Sequence, residues 1–300
     1  MKIGLIDVDG HNFPNLALMK ISAWHKAHGD SVEWYNPIVH STGNMLDKIY
    51  MSKVFTFTED YQYPLFAREI EKGGTGYKLY SKNLPDEVEN IFPDYSIYPE
   101  CDYAIGFLTR GCIRNCPWCI VPKKEGPIRP AATWQQIKRP DSRKIVFMDN
   151  NVLACPHGIE QIKELGNQKI WIDFNQALDA RLISPEIAEL LSKCHWIRFI
   201  RMACDTSEML PVIERAIGYM IAAGVSKSRF WAYALVQDVV EAHDRIVQLR
   251  KMGVEPFAQP YRDFSGGEPT EEQKALARWC NRKELFRSCS WEEYRRKNKV

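Results

Sequence analysis

Three of the chain's nine cysteines fall within eight residues, in the stretch GCIRNCPWC: Cys112, Cys116 and Cys119. Gaps of three and then two residues put three thiols on one short loop. Sulfur ligands suit zinc, Cu(I) and iron–sulfur clusters. A structural zinc site takes four ligands in a tetrahedron. No fourth Cys or His stands at finger spacing here, so Cys101, or Cys155 with His157, could join only through tertiary folding. A [4Fe–4S] cluster held by three cysteines keeps one iron open to another ligand, which is a catalytic arrangement. Cys280 and Cys289 could hold an auxiliary cluster with Cys101 or Cys155, or could be plain buried thiols.

Such a loop has to be positioned by the elements around it. The first part of the chain reads as strand, helix, strand: KIGLIDV, then PNLALMKISAWHKAHG with Pro14 near its start and Gly29 at its end, then SVEWYN. Leu16, Met19, Ile21 and Trp24 give the helix an approximate apolar face. KIYMSKVFTF reads as a third strand, YPLFAREIEKGG as a short helix, and GGTGYKLY as opening on a turn. The pattern predicts a small doubly wound, Rossmann-like domain over residues 1–98. The Pro- and acid-rich LPDEVENIFPDYSIYPECD reads as the linker.

Beyond it come six strand candidates: YAIGFLT, KIVFMDN, KIWIDF, HWIRFIRMA, RFWAYALV and EPFAQPY. Helices separate most of them. Ser184 and Pro185 cap one whose stripe is Ile187, Leu190 and Leu191. Ile213, Ile217, Met220 and Ile221 mark a second, ending at Gly224; Ala242, Ile246 and Leu249 mark a third, ending at Gly253. Six β/α units over residues 99–265, about 165 in all, suit a partial (β/α)6 barrel better than a full eight-stranded one. The fold class is therefore α/β. The triplet follows the first barrel strand, at the end where such barrels put their chemistry. Residues 266–300, from SGGEPT onward, read as a polar helical tail that Trp279, Phe286 and Trp291 could pin back.

GCIRNCPWC, with Trp118 just before its last cysteine, resembles the CxxxCxxC signature of the radical S-adenosylmethionine (SAM) superfamily. The resemblance implies that Cys112, Cys116 and Cys119 ligate a [4Fe–4S] cluster and that SAM chelates the open iron. One electron from a donor such as flavodoxin or ferredoxin would then release a 5′-deoxyadenosyl radical for hydrogen abstraction, with the protein orienting the cofactors. Superfamily members often carry Gly-Gly-Glu after the second strand; FMDNN stands there instead, offering Asp149 and Asn150. RMACDT offers Arg201 for the SAM carboxylate and Asp205 for a ribose hydroxyl, and DFNQALDAR offers Asp173, Asn175 and Gln176. Trp118 belongs to the same set.

The first domain resembles a shortened cobalamin-binding domain. Asp9 and His11 stand in a D-x-H, with Pro14 where that motif has Gly; Ser52 opens SKV; Gly73 and Gly74 follow. Bound cobalamin would take His11 as a cobalt ligand, or use the two glycines for close approach of its nucleotide tail. The leading expectation is a radical SAM enzyme acting on a small-molecule, peptide or nucleotide substrate. One alternative is a cobalamin-dependent radical SAM methyltransferase. Methylthiolation is disfavoured, because none of the first 100 residues is Cys. Another alternative is a non-catalytic, metal-stabilised nucleic-acid-binding module, with Lys123, Lys124, Arg129, Lys138, Arg139, Arg143 and Lys144 tracking phosphates.

Bulk properties exclude other classes. Net charge is +2, which gives no global drive toward nucleic acid or membrane, and RRKNK reads as a solvated run. No apolar stretch approaches the roughly 18 residues of a membrane span. MKIGLIDVDGH lacks a signal-peptide layout, so the expectation is cytoplasmic. The aromatic and polar barrel lining expected from Phe107, Trp171, Trp231, Tyr233 and Tyr261 does not separate the substrate classes.

Overall fold

In the computed structural model the chain divides into two units, Met1–Asp102 and Tyr103–Val300. The residues described are 1–80, 84–264 and 267–298; residues 265–266, where the C-terminal segment was expected to begin, lie outside them, as do 81–83 and 299–300.

The first unit is built on β1 (Lys2–Asp7), α1 (Leu16–Ala27), β2 (Ser31–Trp34), β3 (Leu46–Ser52) and β4 (Ala67–Gly73). Its sheet is parallel throughout, in the order β2-β1-β3-β4. Asn15 caps α1 by accepting from the Leu18 amide, and Gly29 at φ 81° turns the chain out. The buried stripe of α1 is Leu18, Met19, Ile21, Ser22 and His25, so Leu16 and Trp24 flank the core instead of forming it. The two polar members are satisfied: Ser22 donates to Asp94 at 2.6 Å, and His25 sits between Asp30 (2.6 Å) and the Tyr50 hydroxyl (3.0 Å).

AREIEKG is strand β4, where a helix was expected. Ile70 is the one large apolar residue of the seven and is itself 41% exposed, so a helix here would have no face to bury. The strand instead adds to β3, and Lys48 of β3 reaches Glu69 and Glu71 across the pair at 2.8 and 2.6 Å. Neither of the loops flanking β3, 35–45 and 53–66, carries a helix. Part of the sheet is therefore covered by Tyr35, Tyr61, Leu65 and Tyr77, packed with Ile6, Leu46, Ile49 and Met51. The stretch that reads as a linker holds α2 (Asp86–Glu89) and is tied to this unit. Trp34 donates to the Ile97 carbonyl, and the Tyr98 hydroxyl donates to Asp7 at 2.6 Å.

The second unit opens with β5 (Ala104–Gly106), β6 (Thr109–Arg110), α3 (Val121–Lys124), β7 (Arg129–Pro130) and α4 (Trp134–Ile137). It continues through β8 (Lys144–Phe147), α5 (Pro156–Leu165), β9 (Trp171–Phe174), α6 (Pro185–Lys193), β10 (His195–Trp196) and β11 (Ile200–Ala203). It ends with α7 (Leu210–Ala222), β12 (Phe230–Val236), α8 (Val239–Lys251), β13 (Glu255–Pro260), α9 (Glu271–Asn281), α10 (Lys283–Ser288) and α11 (Trp291–Asn298). Two parallel sheets result, β10-β9-β8-β5 and β11-β12-β13. HWIRFIRMA does not run as one strand. It breaks after Trp196, and its halves join different sheets, which a parallel bridge from Leu178 to Met202 links.

One apolar cluster runs through both sheets and their helices. It includes Ile213, Ile217, Met220, Ala242, Ile246 and Leu249 at their expected positions. On α6 the buried pair is Ala188 and Leu191, with Ile187 and Leu190 partly covered. Trp279, Phe286 and Trp291 of the C-terminal helices belong to the same core. Trp171, expected to line an interior, is 44% exposed on its strand, because its neighbour Ile172 takes the inward position. Among the described residues, no helix is long and apolar enough to cross a membrane.

Gly74 bears a severe backbone constraint. It has φ 94°, and a Cβ there would stand 2.3 Å from the Lys53 carbonyl oxygen. Gly74→Ala is expected to destabilise the first unit by about 2 kcal/mol or more, from the left-handed penalty plus the clash. Urea unfolding followed by the fluorescence of Trp24 and Trp34 measures it; an unchanged midpoint would contradict the packing described.

Candidate functional site

The three thiols sit on a loop that is closed at its base. β6 and β7 pair antiparallel at Thr109↔Pro130 and Arg110↔Arg129. Gly111 takes φ 83°, and any Cβ there would lie 2.3 Å from the Pro127 carbonyl oxygen, so the two sides of the loop pass at backbone contact. Arg110 and Glu125 form a bidentate pair at 2.8 and 3.0 Å across the same base. Inside the loop, Cys119 N–H donates to the Cys116 carbonyl at 3.0 Å, a tight turn.

This loop is fastened to the sheet by Asp149, two residues past the end of β8. Its carboxylate is 1% exposed and accepts three hydrogen bonds: Leu108 N–H at 3.1 Å, Thr109 N–H at 2.6 Å and the Thr109 hydroxyl at 2.7 Å. Burial pushes its pKa up to about 6, and the three donors pull the other way without overcoming it. With its oxygens committed to backbone and Thr109, Asp149 acts as a structural staple where a cofactor contact was expected.

All three cysteines are half-buried and free. Two N–H groups point at the Cys112 sulfur, from Arg114 (3.3 Å) and Asn151 (3.4 Å). Burial raises the pKa of Cys116 and Cys119, and the neighbouring thiols and Asp205 raise both further. Asp205 follows β11 and is itself pushed up by burial, with the nearby Trp118 indole pulling the other way. Asp205, at the end of β11, thus lies near Trp118 and the thiols of the cysteine loop. Buried Arg245 of α8 fixes the same corner, donating to the carbonyls of Cys204 and Leu235 and to Glu241.

The end of β9 adds a charged cluster. Burial alone would push the Asp179 carboxyl up, but Arg181 (2.6 Å) and Arg114 (2.8 Å) outweigh it and hold it below the usual range. Asn151 also donates to Asp179, at 3.3 Å. Asn150 Oδ1 and Asn151 Oδ1 are buried with no hydrogen-bond partner among the described residues. Arg201, expected to meet a ligand carboxylate, already forms a bidentate pair with Asp173 at 2.8 and 2.7 Å and lies over the Trp231 ring. Asn175 takes the Tyr233 hydroxyl on its backbone carbonyl at 2.8 Å, and its side-chain amide faces the Met148 sulfur at 3.9 Å. Ala177 holds φ 78°, the one non-glycine residue in the left-handed region among those described, and it redirects the chain toward Asp179.

The second unit therefore brings together the three cysteines, Trp118, Asn150, Asn151, Asp179 and Asp205 at the carboxyl ends of its parallel strands. Such ends are where open α/β sheets bind ligands. Among the described residues, no group of three or more His, Cys, Asp and Glu side chains already stands at metal-holding spacing. Cys280 and Cys289 are occupied as packed thiols, donating to the carbonyls of Pro256 and Leu285. Several members of the basic stretch are tied locally: Arg139 to Asp141, and Arg129 to the Glu125 carbonyl.

In the first unit, Asp9, Ser52, Gly73 and Gly74 meet at the carboxyl edge of its sheet, since Asp7 pairs with Ser52 and Ser52 with Gly73. The chain's own groups use them. Asp9 accepts from Val54 N–H, Phe55 N–H and the Thr58 hydroxyl. Ser52 accepts from Asn15 at 2.8 Å. Gly74 admits the Lys53 carbonyl, and His11 packs tilted against Trp34 with ring centroids 4.2 Å apart.

Residues that sequence reasoning missed are Asn151, Arg114, Asp179 and Arg181. Each was in view: Asn151 closes FMDNN, Asp179 and Arg181 close DFNQALDAR, and Arg114 lies between the first two cysteines. No protein-family model and no curated protein matches the chain.

Asp149 predicts a pH signature. Its folded pKa of about 6 exceeds the ordinary 3.8. Its contribution to stability is thus complete below about pH 4 and is lost as pH rises through about 6, on the order of 3 kcal/mol. Urea unfolding from pH 4 to 7 should show this fall in the wild type and not in Asp149→Asn; parallel profiles would remove the assignment. Asp149→Ala leaves three donors unpaired and is expected to cost about 3 kcal/mol or more at any pH in the range.

Proposed function

We propose that the chain is a radical SAM enzyme, with the second unit as its partial (β/α)6 barrel and Cys112, Cys116 and Cys119 as the cluster ligands. The observation that carries this reading is the closed loop of three thiols at the carboxyl ends of parallel strands. Parallel strands that follow one another with α5, α6, α7 and α8 between them support the barrel.

The donor set fits the cluster. Three soft thiols lie within eight residues, and N–H groups already directed at the Cys112 sulfur suit a thiolate ligand. Bound there, a [4Fe–4S] cluster would supply the electron that cleaves the sulfonium of SAM to a 5′-deoxyadenosyl radical. The chain's own task is to bind, orient and exclude water. Asn150 Oδ1 and Asn151 Oδ1 call for a donor, because a buried acceptor left unmatched costs about 1–3 kcal/mol. An α-ammonium group such as that of SAM answers that need. Asp205, beside Trp118, would accept from hydroxyls. Arg201 and Asp173 neutralise one another, so their part is to set the polarity of the wall beside Trp231 and Tyr233.

Anaerobic purification tests the proposal. The protein should be brown, hold about four irons and release 5′-deoxyadenosine from SAM on reduction. Cys116→Ala should lose both properties yet stay folded, as thiol ligation and not core packing is removed; retention of iron and cleavage would sink the assignment. Asp205→Ala should keep the iron and bind SAM roughly tenfold to a hundredfold more weakly, the cost of one hydrogen bond to a charged acceptor.

A further inference from the structure

One buried side chain reaches the thiol loop from another element. Asn151 follows β8 and is 3% exposed. Val152 and Leu153, next in the chain, pack in the core and fix its backbone. Its Nδ2 donates to the Cys112 sulfur at 3.4 Å and to Asp179 Oδ2 at 3.3 Å. Both partners are acceptors, so an amide turned the other way would set its oxygen against a sulfur and a carboxylate. Among the described residues, no other side chain donates to a sulfur of the triplet. The Arg114 backbone N–H adds a second donor to Cys112 at 3.3 Å. Asp179 is in turn held by Arg114 Nε at 2.8 Å and Arg181 Nε at 2.6 Å. Two guanidinium groups against one carboxylate leave a surplus positive charge, and the Arg181 charge acts on Cys116 and Cys112. Asp205 acts on Cys116 and Cys119 in the opposite sense. Donors and cations therefore converge on Cys112.

We propose that Asn151 is a positioning residue for the Cys112 ligand and, with Arg181, raises the reduction potential of the [4Fe–4S] cluster bound at the three thiols. The inference rests on the cluster reading above. Reduction brings in one electron from an external donor; the cluster passes from its 2+ to its 1+ state, and no bond is made or broken. The added negative charge spreads onto the sulfur ligands. N–H donors and cations beside a sulfur stabilise that state more than the oxidised one. Low local dielectric strengthens the effect at a group as enclosed as Asn151. Because the same Nδ2 is anchored at Asp179, it also holds the Cys112 sulfur to one orientation.

Redox titration of the reconstituted full chain, followed by electron paramagnetic resonance without SAM, reads the potential directly. Asn151→Ala should take up as much iron as the wild type and shift the midpoint negative by about 59 mV, a tenfold change in a one-electron equilibrium. Arg181→Gln should shift it in the same direction, and Arg181→Lys should restore most of it. Arg287→Gln removes an exposed charge of α10 outside these contacts and should leave the midpoint unchanged. A wild-type midpoint in Asn151→Ala at full iron content overturns this inference alone, with the cluster reading intact. An equal shift in Arg287→Gln also overturns it, by reducing the effect to net charge. Should Asn151→Ala fail to hold iron, Arg181→Gln decides, and an unchanged midpoint there overturns the inference. A wild type that takes up no iron defeats the cluster reading, and this inference with it.

Discussion

A single buried carboxylate organises the candidate site. Asp149 stands at the end of β8 and takes both backbone amides where the chain leaves β5 and enters β6, plus the Thr109 hydroxyl. Removing a carboxylate from water is unfavourable unless hydrogen bonds replace the lost solvation. Here the replacement comes from the very residues that launch the cysteine loop. The strand carrying the loop and its neighbour are thereby held in one arrangement, and Gly111, Arg110 and Glu125 close the loop at its base. The thiols are consequently carried by a fixed frame, although the loop itself contains little regular structure.

The carboxyl ends of the other strands are arranged around that frame by a division of polar groups. Some are consumed internally: Arg201 with Asp173, Tyr233 with the Asn175 backbone carbonyl, Arg245 with the carbonyl beside Asp205. Others stay unmatched, notably the two asparagine oxygens. Matched groups give rigidity, because each buried pair admits one geometry. Unmatched ones mark where a ligand's donors would be accommodated. The first unit has a similar sheet edge with a different outcome, as Asp9, Ser52 and Gly74 all serve the chain's own loops.

Much of this was legible in the residues. The cysteine spacing, the parallel alternation, the Ser184 and Gly253 ends of helices and the stripes of α7 and α8 are local features. A 3.6-residue period, a cap or a triplet of ligands is written within a short window. Position after a strand was enough to bring Asp205 near the thiols. Three expectations gave way to longer-range effects. AREIEKG became a strand because β3 offered an open edge and Lys48 met its glutamates. HWIRFIRMA broke because two sheets compete for its halves. The residues of the first unit's linker turned out to be tied to α1 and β1.

Sequence by itself thus determined which chemistry is available: three closely spaced thiols, the strands they follow and the helices that cover them. Tertiary structure decided which polar side chains are free to use. Asp149 and Arg201 are ligand-contact candidates in a string of letters; in the fold one accepts from the amides of Leu108 and Thr109 and the other pairs with Asp173. Asn151 looks ordinary there, and is left with a buried oxygen unpaired among the described residues. Hydrogen-bond partners come from residues tens of positions away, as with Asp149 and Thr109 or Arg245 and Cys204. Satisfaction of a buried polar group is therefore a property of the folded arrangement and of no local pattern.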